Sequence, residues 1–256
     1  MIDPVLFKLG SFEIRYYGLL FALAFLIGYY LAKKLSKEFN IEESKIENIS
    51  IYLLISIIIG ARLFEVLFYD PAYYFSDPIK IFYIWEGGLA SHGAIIALIL
   101  FTYIYCKRKN VKFYNFADLF IIPISLGAAF VRLGNFFNSE LVGKITPVPW
   151  AVQFNNYEGL RHPVQLYQSF YYLIIFLILY SNRKNKKEGT LFWGFIFLDG
   201  VFRFITEFFK DLPKGYGINY LGLNLAQYLA IIMILVSIYP LYKKIKHPQD
   251  KLSSHH

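Results

Sequence analysis

The sequence predicts an all-α integral membrane protein of about seven transmembrane helices, with a small cap and an N-terminal hairpin on its outer face. Three observations support this. The chain is 57% hydrophobic and only 17% charged, whereas soluble domains are about 45–50% apolar and about 25% charged. Its apolar residues come in long runs, and its basic residues cluster between alternate runs.

Seven apolar runs are close to the roughly 20 residues that cross a hydrocarbon core. They lie at residues 17–35, 49–69, 87–106, 113–134, 164–181, 190–209 and 223–242. We therefore expect a single polytopic membrane domain over residues 1–246. The polar tail 247–256 ends in two histidines and is interpreted as tag-derived.

Basic residues orient the predicted spans. Most of the 26 Lys and Arg residues lie in segments 33–47, 107–112 and 183–187 and in the tail after residue 242. Seven spans place all four segments on one side, which the positive-inside rule assigns to the cytoplasm. The N-terminus is then outside and the C-terminus cytoplasmic. The net charge of +8 is therefore a topology signal, and no nucleic-acid partner is expected.

Two segments outside the spans have their own patterns. Residues 5–16 alternate around Gly10 and Ser11, which predicts a small hairpin. Residues 135–161 contain Pro147, Pro149 and Gly159, and we expect them to form a small structured cap.

Ionisable residues inside the predicted spans are candidates for function, because each costs at least about 2.5–3.5 kcal/mol at the membrane centre. They are Arg62, Glu65, His92, Asp118, Arg132, Asp199, Arg203 and Glu207. With the predicted topology, all but Asp118 lie in the outer half of the membrane.

Spacing suggests pairs within this set. Asp199, Arg203 and Glu207 follow one another at intervals of four residues, which places them on one face of a helix. We therefore expect either carboxylate to be able to hold Arg203. Arg62 and Glu65 can also pair. Ion pairs that lock helices together are the alternative interpretation, but three arginines and a histidine at one depth favour a phosphate ligand, whose oxygens match the guanidinium fork.

Glycines accompany two of these residues. Gly87 and Gly88 precede His92 and predict an irregular backbone with exposed N–H groups near the imidazole. The densest motif is 132–143, where Arg132 is followed by two amides, a carboxylate and a glycine. These are Asn135, Asn138, Glu140 and Gly143.

Residues 132–143 resemble the signature of the prolipoprotein diacylglyceryl transferase family, Gly-Arg-x-Gly-Asn-Phe-x-Asn-x-Glu-x-x-Gly. Further segments resemble family motifs in the same order along the chain. They are Arg-Tyr-Tyr-Gly at 15–18, Gly-Gly through His-Gly at 87–93, His-Pro-Val-Gln-Leu-Tyr at 162–167 and Arg-Phe-Ile-Thr-Glu-Phe at 203–208.

The chain departs from the family pattern at several positions. Val131 replaces the first glycine of the signature. Asp199 stands where tyrosine is frequent, and Gln168 stands where glutamate is common. Phe64 and Glu65 replace the usual Gly-Tyr pair. None of these changes removes a residue that the chemistry requires.

The resemblance implies a specific reaction. The family transfers the diacylglyceryl group of phosphatidylglycerol to the lipobox cysteine thiol of a bacterial prolipoprotein, and releases glycerol-1-phosphate. This first step of lipoprotein maturation occurs at the outer face of the inner membrane. The expected partners are therefore phosphatidylglycerol, a prolipoprotein signal peptide with its lipobox, and membrane lipid. No cofactor or metal is implied.

Roles for individual residues follow from this chemistry. His92 is predicted to take the thiol proton, because imidazole titrates near neutral pH. Arg132 and Arg203 are predicted to stabilise the leaving phosphate. The predicted substrate-binding residues are Tyr17, Arg62, Asn135, Asn138, Glu140, Gly143 and Glu207. Among these, Glu140 and Glu207 would orient the arginines or bind glycerol hydroxyls, and Gly143 would allow the cap to close.

Other classes of protein fit less well. An anion or phospholipid transporter could use the same buried arginines, but the chain shows no inverted repeat of matching halves. An alcohol-type phosphatidyl transferase would carry an aspartate-rich metal motif. An intramembrane protease would carry a serine–histidine pair or paired membrane aspartates.

Overall fold

The computed structural model describes residues 3–10, 12–84, 87–184, 187–212 and 222–246. These residues are mostly helical, as the sequence predicts. The α-helices are α1 (Tyr16–Leu35), α2 (Glu43–Phe64), α3 (Pro71–Ser76), α4 (Ser91–Arg108), α5 (Phe113–Phe137), α6 (Val164–Ser181), α7 (Thr190–Thr206) and α8 (Leu225–Lys246). The predicted tail 247–256 lies outside the described residues.

Short helical segments interrupt or extend this order in the described part of the chain. A π-helix, Glu65–Tyr69, continues α2. Turns of 3-10 helix cover Ser36–Phe39, Pro78–Phe82 and Glu207–Phe209. The last of these follows α7 directly.

Five helical segments of the described chain are long and apolar enough to cross a membrane. They are Tyr16–Phe39, Glu43–Tyr69, Phe113–Phe137, Val164–Ser181 and Leu225–Lys244. Large apolar side chains on them are exposed, as Leu26 (62%), Phe170 (66%) and Leu235 (63%) show. Such faces are compatible with lipid, so the chain is a multi-pass helical membrane protein.

Two further predicted spans form helices that do not meet this description. Helix α4 has 18 residues and ends in Lys107 and Arg108. Helix α7 has 17 residues and contains Asp199 and Arg203. The count of seven spans therefore stays a prediction, as does the orientation that rests on it.

The N-terminal hairpin forms as predicted. Strand β1 (Val5–Leu9) pairs antiparallel with β2 (Phe12–Arg15), and the register is irregular between Val5 and Phe7. Gly10 supplies the turn with a φ of 60°, a conformation that glycine adopts at little cost.

Residues 135–161, predicted to form a cap, contain short extended segments. Strand β3 (Val152–Gln153) pairs with β4 (Leu160–Arg161). Single bridges add Ile145 beside Arg161 and Gly143 beside Lys210. The segment around Gly143 thus lies between β4 and the chain that leaves α7.

The chain divides into two compact units. The first contains the described parts of residues 1–32 and 117–256, and the second contains residues 33–116. In the second unit α2 and α4 pack closely, because Gly60 and Gly93 have no Cβ to keep the two helices apart. A Cβ added at Gly60 would lie 2.7 Å from the carbonyl oxygen of Gly93.

In the first unit, Asp118 of α5 caps the start of α7. Its carboxylate accepts the backbone N–H of Gly189 (2.6 Å) and of Phe192 (2.7 Å), and the side chain is 2% exposed. A carboxylate at a helix N-terminus satisfies unpaired donors and meets the positive end of the helix dipole. The sequence placed Asp118 in a span and gave it no role; the structure gives it a structural one.

Candidate active site

Four residues of the motif 132–143 form one hydrogen-bonded chain in the first unit. Nη1 of Arg132 donates to Oδ1 of Asn135 (3.2 Å), and Nδ2 of Asn135 donates to Oε2 of Glu140 (2.7 Å). Nδ2 of Asn138 donates to the other oxygen, Oε1 (3.1 Å). Glu140 therefore acts on Arg132 through Asn135, which fixes the direction of the guanidinium.

The backbone turns tightly after α5 to bring these side chains together. Ser139 and Leu141 have φ values of 56° and 53°, which non-glycine residues adopt only when other contacts hold them. The N–H of Glu140 returns to the carbonyl of Asn135 (2.9 Å). The strained turn thus belongs to the same segment as the predicted polar site.

Gly143 allows two segments of backbone to approach. Its N–H donates to the carbonyl of His162 (3.1 Å). A Cβ at this position would lie 2.6 Å from Cβ of His162 and 2.8 Å from Cγ2 of Val164. The glycine therefore places the start of α6 against the segment that follows Glu140. A role in closing the cap stays a prediction.

The start of α6 contributes Gln165, which the sequence did not single out as a site residue. Its Nε2 donates to the backbone carbonyl of Glu140 (2.5 Å), and the side chain is fully buried. The sequence could not reveal this contact, because 25 residues separate the two partners and they meet only where the backbone packs at Gly143.

Tyr17 lies against the same helix. A Cβ at Gly134 would lie 2.8 Å from Cδ2 of Tyr17, so the ring covers this glycine of α5. Its neighbour Tyr16 stacks on Phe137 with ring centroids 4.4 Å apart. The structure thus brings Tyr17 to the helix that carries Arg132, and its head-group role stays a prediction.

Arg203 is not held in the predicted ladder. Within the described residues its guanidinium makes no hydrogen bond and no ion pair. Asp199, which is 5% exposed, instead accepts a hydrogen bond from the Tyr171 hydroxyl (3.3 Å). Both Arg203 and Arg132 lie within electrostatic range of this carboxylate. The donors of Arg203 are therefore open to a ligand.

Glu207, at the other end of the predicted ladder, pairs with different residues. Nζ of Lys210 lies 3.2 Å from its Oε1, and Nδ2 of Asn224 donates to its Oε2 (3.3 Å). Glu207 directly follows α7, and its backbone N–H still donates to the carbonyl of Arg203. Asp199 and Glu207 both act on Arg203 electrostatically, but neither carboxylate is a direct partner of its guanidinium among the described residues.

Arg62 forms its hydrogen bonds with other residues of the second unit. Its three nitrogens donate to five backbone carbonyls and one hydroxyl, and the residue is 5% exposed. The acceptors are the carbonyls of Lys80, Ile81, Tyr83, Gly87 and Gly88 and the hydroxyl of Tyr74. It makes no ion pair with Glu65 within the described residues. A substrate would have to displace these acceptors.

The two glycines that precede His92 provide hydrogen-bond acceptors for Arg62. Gly87 and Gly88 have φ values of 94° and 70°, and both carbonyls accept from Nη1 of Arg62. A Cβ at Gly88 would lie 2.7 Å from that nitrogen. The irregular backbone is therefore present as expected, but its carbonyls take part where the sequence suggested exposed N–H groups.

His92 is exposed at the start of α4 in the second unit. Its Nδ1 lies 2.9 Å from the hydroxyl of Tyr69, at the end of the π-helix. The ring also contacts Phe64, with centroids 6.0 Å apart. Tyr69 was not predicted, and no spacing rule links it to His92.

A second histidine lies in the first unit. Nδ1 of His162 is 3.1 Å from the hydroxyl of Tyr167, which accepts Nε1–H of Trp150 (2.7 Å). Because Trp150 is only a donor, the Tyr167 proton is left for His162. Burial lowers the pKa of His162, which favours the neutral ring that accepts this proton. His162 is thus held as a structural acceptor.

Within the residues that the structure describes, no three His, Cys, Asp or Glu side chains are grouped to hold a metal ion. The polar residues brought together in the first unit are those of a hydrogen-bonding and anion-binding site. Fold and site together define a multi-pass membrane protein with free arginine donors beside an amide–carboxylate network.

Comparison with known proteins identifies the family. Residues 4–243 match the prolipoprotein diacylglyceryl transferase family, and the chain belongs to it.

Three relatives illustrate the similarity, each named phosphatidylglycerol–prolipoprotein diacylglyceryl transferase. The protein of Tolumonas auensis is 39% identical over 241 residues, 92% of this chain and 93% of the relative. That of Porphyromonas gingivalis is 38% identical over 272 residues, 98% and 96% respectively. That of Geobacter sulfurreducens is 36% identical over 242 residues, 93% of each.

Proposed function

We propose that the protein transfers the diacylglyceryl group of phosphatidylglycerol to the lipobox cysteine of a prolipoprotein. The names of its relatives support both substrates, and family membership supports the reaction. We place the reaction at the outer face of the bacterial inner membrane, with the N-terminus outside and the C-terminus cytoplasmic, because the basic segments then face the cytoplasm.

The chemistry is a displacement at carbon. The cysteine sulfur attacks the glyceryl carbon that carries the phosphate, a C–S bond forms, and the C–O bond to phosphate breaks. The thiol proton passes to a base, and the phosphodiester leaves as glycerol-1-phosphate with a second negative charge. The protein must therefore remove one proton and stabilise one new charge.

The observation that carries the proposal is the set of free donors on two arginines. Arg132 uses one N–H on Asn135 and has no carboxylate partner among the described residues. Arg203 has all five N–H groups open there. Because Glu140 holds Arg132 only through Asn135, the guanidinium is oriented without being neutralised by direct contact. Such groups suit the developing phosphate charge.

His92 is assigned as the base. Its Nδ1 contacts Tyr69, so a ring that donates Nδ1–H to the Tyr69 oxygen leaves Nε2 free to accept the thiol proton. Tyr69 is then the residue that selects the tautomer. Tyr17, Asn135, Asn138 and Glu140 are assigned to the lipid head group.

The test uses purified protein, phosphatidylglycerol and a lipobox peptide. We expect the peptide mass to rise by one diacylglyceryl group, and His92→Ala, Arg132→Ala and Asn135→Ala each to abolish the shift. Arg108→Ala removes an exposed arginine at the end of α4 and is expected to retain turnover. Lipid or anion transport without a mass shift would instead support the transporter alternative.

A further inference from the structure

Two amide oxygens beside Glu140 lack hydrogen-bond partners. Oε1 of Gln165 and Oδ1 of Asn138 are both buried without a partner. A buried acceptor left unpaired costs about 1–3 kcal/mol, so two in one cluster call for an explanation. Both side chains belong to the first unit.

The orientation of both amides is set by Glu140. Asn138 gives its Nδ2 to the carboxylate (3.1 Å), and Gln165 gives its Nε2 to the backbone carbonyl (2.5 Å). One N–H of each amide is used in this way, whereas neither side-chain oxygen has a partner, so each oxygen is left to accept a hydrogen bond. The carboxylate of Glu140 is itself an acceptor only.

The cluster therefore presents two unpartnered acceptors, which a ligand that donates would satisfy. Hydroxyl groups are such donors, whereas an ionised phosphate oxygen has no proton to give them. Asn135 links this cluster to Arg132, whose free N–H groups suit a phosphate. Protein donors that bind an anion thus lie next to protein acceptors that bind hydroxyl groups, and a phosphate ester of a polyol carries both kinds of group.

We propose that Gln165, together with Asn138, recognises the hydroxyl groups of the lipid head group and makes the enzyme selective for a polyol phosphodiester. This inference rests on the proposed function and adds Gln165 to its site. It assigns Gln165 to lipid selection, while proton removal and charge stabilisation belong to other residues.

The experiment compares two lipids with the same acyl chains and the same single negative charge. Phosphatidylglycerol has two head-group hydroxyls, and phosphatidylpropanol has none. Both present the same reacting carbon to the lipobox peptide. The readout is the ratio of kcat/KM for the two lipids, measured by mass spectrometry. The wild-type ratio is expected to be about 100 or more, because sites built around a hydroxyl strongly reject analogues without it.

Gln165→Met removes the acceptor and keeps a similar volume. We expect it to lower the ratio about tenfold, since loss of one buried hydrogen bond costs about this factor, and to do so through phosphatidylglycerol alone. The matched control is Gln168→Met, in a second buried glutamine three residues further along α6. Its ratio is expected to equal that of the wild type.

The outcomes separate the possibilities. A merely structural Gln165 would slow both lipids equally and leave the ratio unchanged, which overturns the proposal. A wild-type enzyme that uses both lipids equally overturns it as well, while the proposed function survives. If wild-type protein transfers neither lipid, the proposed function itself fails. Should Gln165→Met not fold, Asn138→Leu is expected to show the same loss, and an unchanged ratio there is equally fatal.

Discussion

Arg62 in the second unit and the pair Arg132 and Arg203 in the first unit are all buried or half-buried arginines of predicted spans. The structure treats them differently. The nitrogens of Arg62 reach six acceptors of their own unit. Arg132 has one such contact, and Arg203 has none among the described residues.

The difference shows that burial of a charge does not by itself mark a binding site. A guanidinium has five N–H groups, and what matters is how many of them the fold has already used. Arg62 holds the backbone at residues 80–83 and 87–88, so its loss should act on stability. Arg132 and Arg203 keep donors for a ligand, so their loss should act on catalysis.

The largest expected effect tests the free pair. Arg132→Lys and Arg203→Lys keep the positive charge but lose the planar fork. We expect each to lower turnover of phosphatidylglycerol by about 10²–10³-fold, as removal of a transition-state donor does elsewhere. The midpoint of thermal unfolding in detergent should change little. A large fall in that midpoint would mean that these arginines serve the fold, as Arg62 does.

The converse substitution is Arg62→Lys. A lysine has three donors, so several of the six acceptors of Arg62 lose their partner. We expect the free energy of unfolding to fall by about 2–4 kcal/mol, measured by thermal or denaturant unfolding, while folded protein keeps its turnover per molecule. A stable but inactive variant would show that Arg62 binds substrate after all.

A smaller effect is expected from Asp118→Asn, which tests a buried charge with a known structural partner. The amide keeps one acceptor for the N-terminus of α7 but loses the charge that meets the helix dipole. Unfolding free energy should fall by about 1 kcal/mol, with turnover retained. Lost turnover at unchanged stability would contradict the capping role.

The smallest expected effect lies in the exposed hairpin. Lys8 (2.8 Å) and Arg15 (3.0 Å) flank the carboxylate of Glu13 and hold its pKa below the ordinary value of 4.5. A lowered pKa means that the stabilisation is present above pH 4.5 and is lost as the pH falls through the folded-state value. Glu13→Gln should therefore lower the unfolding midpoint slightly at pH 7, and this effect should shrink as the pH falls below 4.5. An effect of the same size at every pH would exclude an electrostatic cause.

Much of the fold could be read from the sequence. Apolar runs near 20 residues can bury their backbone in a membrane only as helices, and every predicted span lies for most of its length on one. The alternation around Gly10 gave the hairpin. The cluster of Arg132, Asn135, Asn138 and Glu140 could also be predicted from the sequence, because its members are close together in the chain and the turn that joins them is local.

Other parts of the site depend on packing between distant segments. The ladder through Asp199, Arg203 and Glu207 considered only the spacing along one helix. In the structure Asp199 accepts a hydrogen bond from Tyr171, and Glu207 contacts Lys210 and Asn224. Tyr171 and Asn224 lie on other segments of the chain, so the spacing along α7 could not reveal them as partners.

The sequence by itself determined a helical membrane protein with few buried charges, because an apolar run and a costly ionisable residue are properties of local composition. Only the tertiary structure decided which of those charges are free to act. Hydrogen bonding is saturable, so the outcome depends on where the acceptors of Arg62 and the amide of Gln165 come to lie. The backbone carbonyls that these two side chains reach lie 18 to 26 residues away along the chain, so no pattern within one segment encodes that placement.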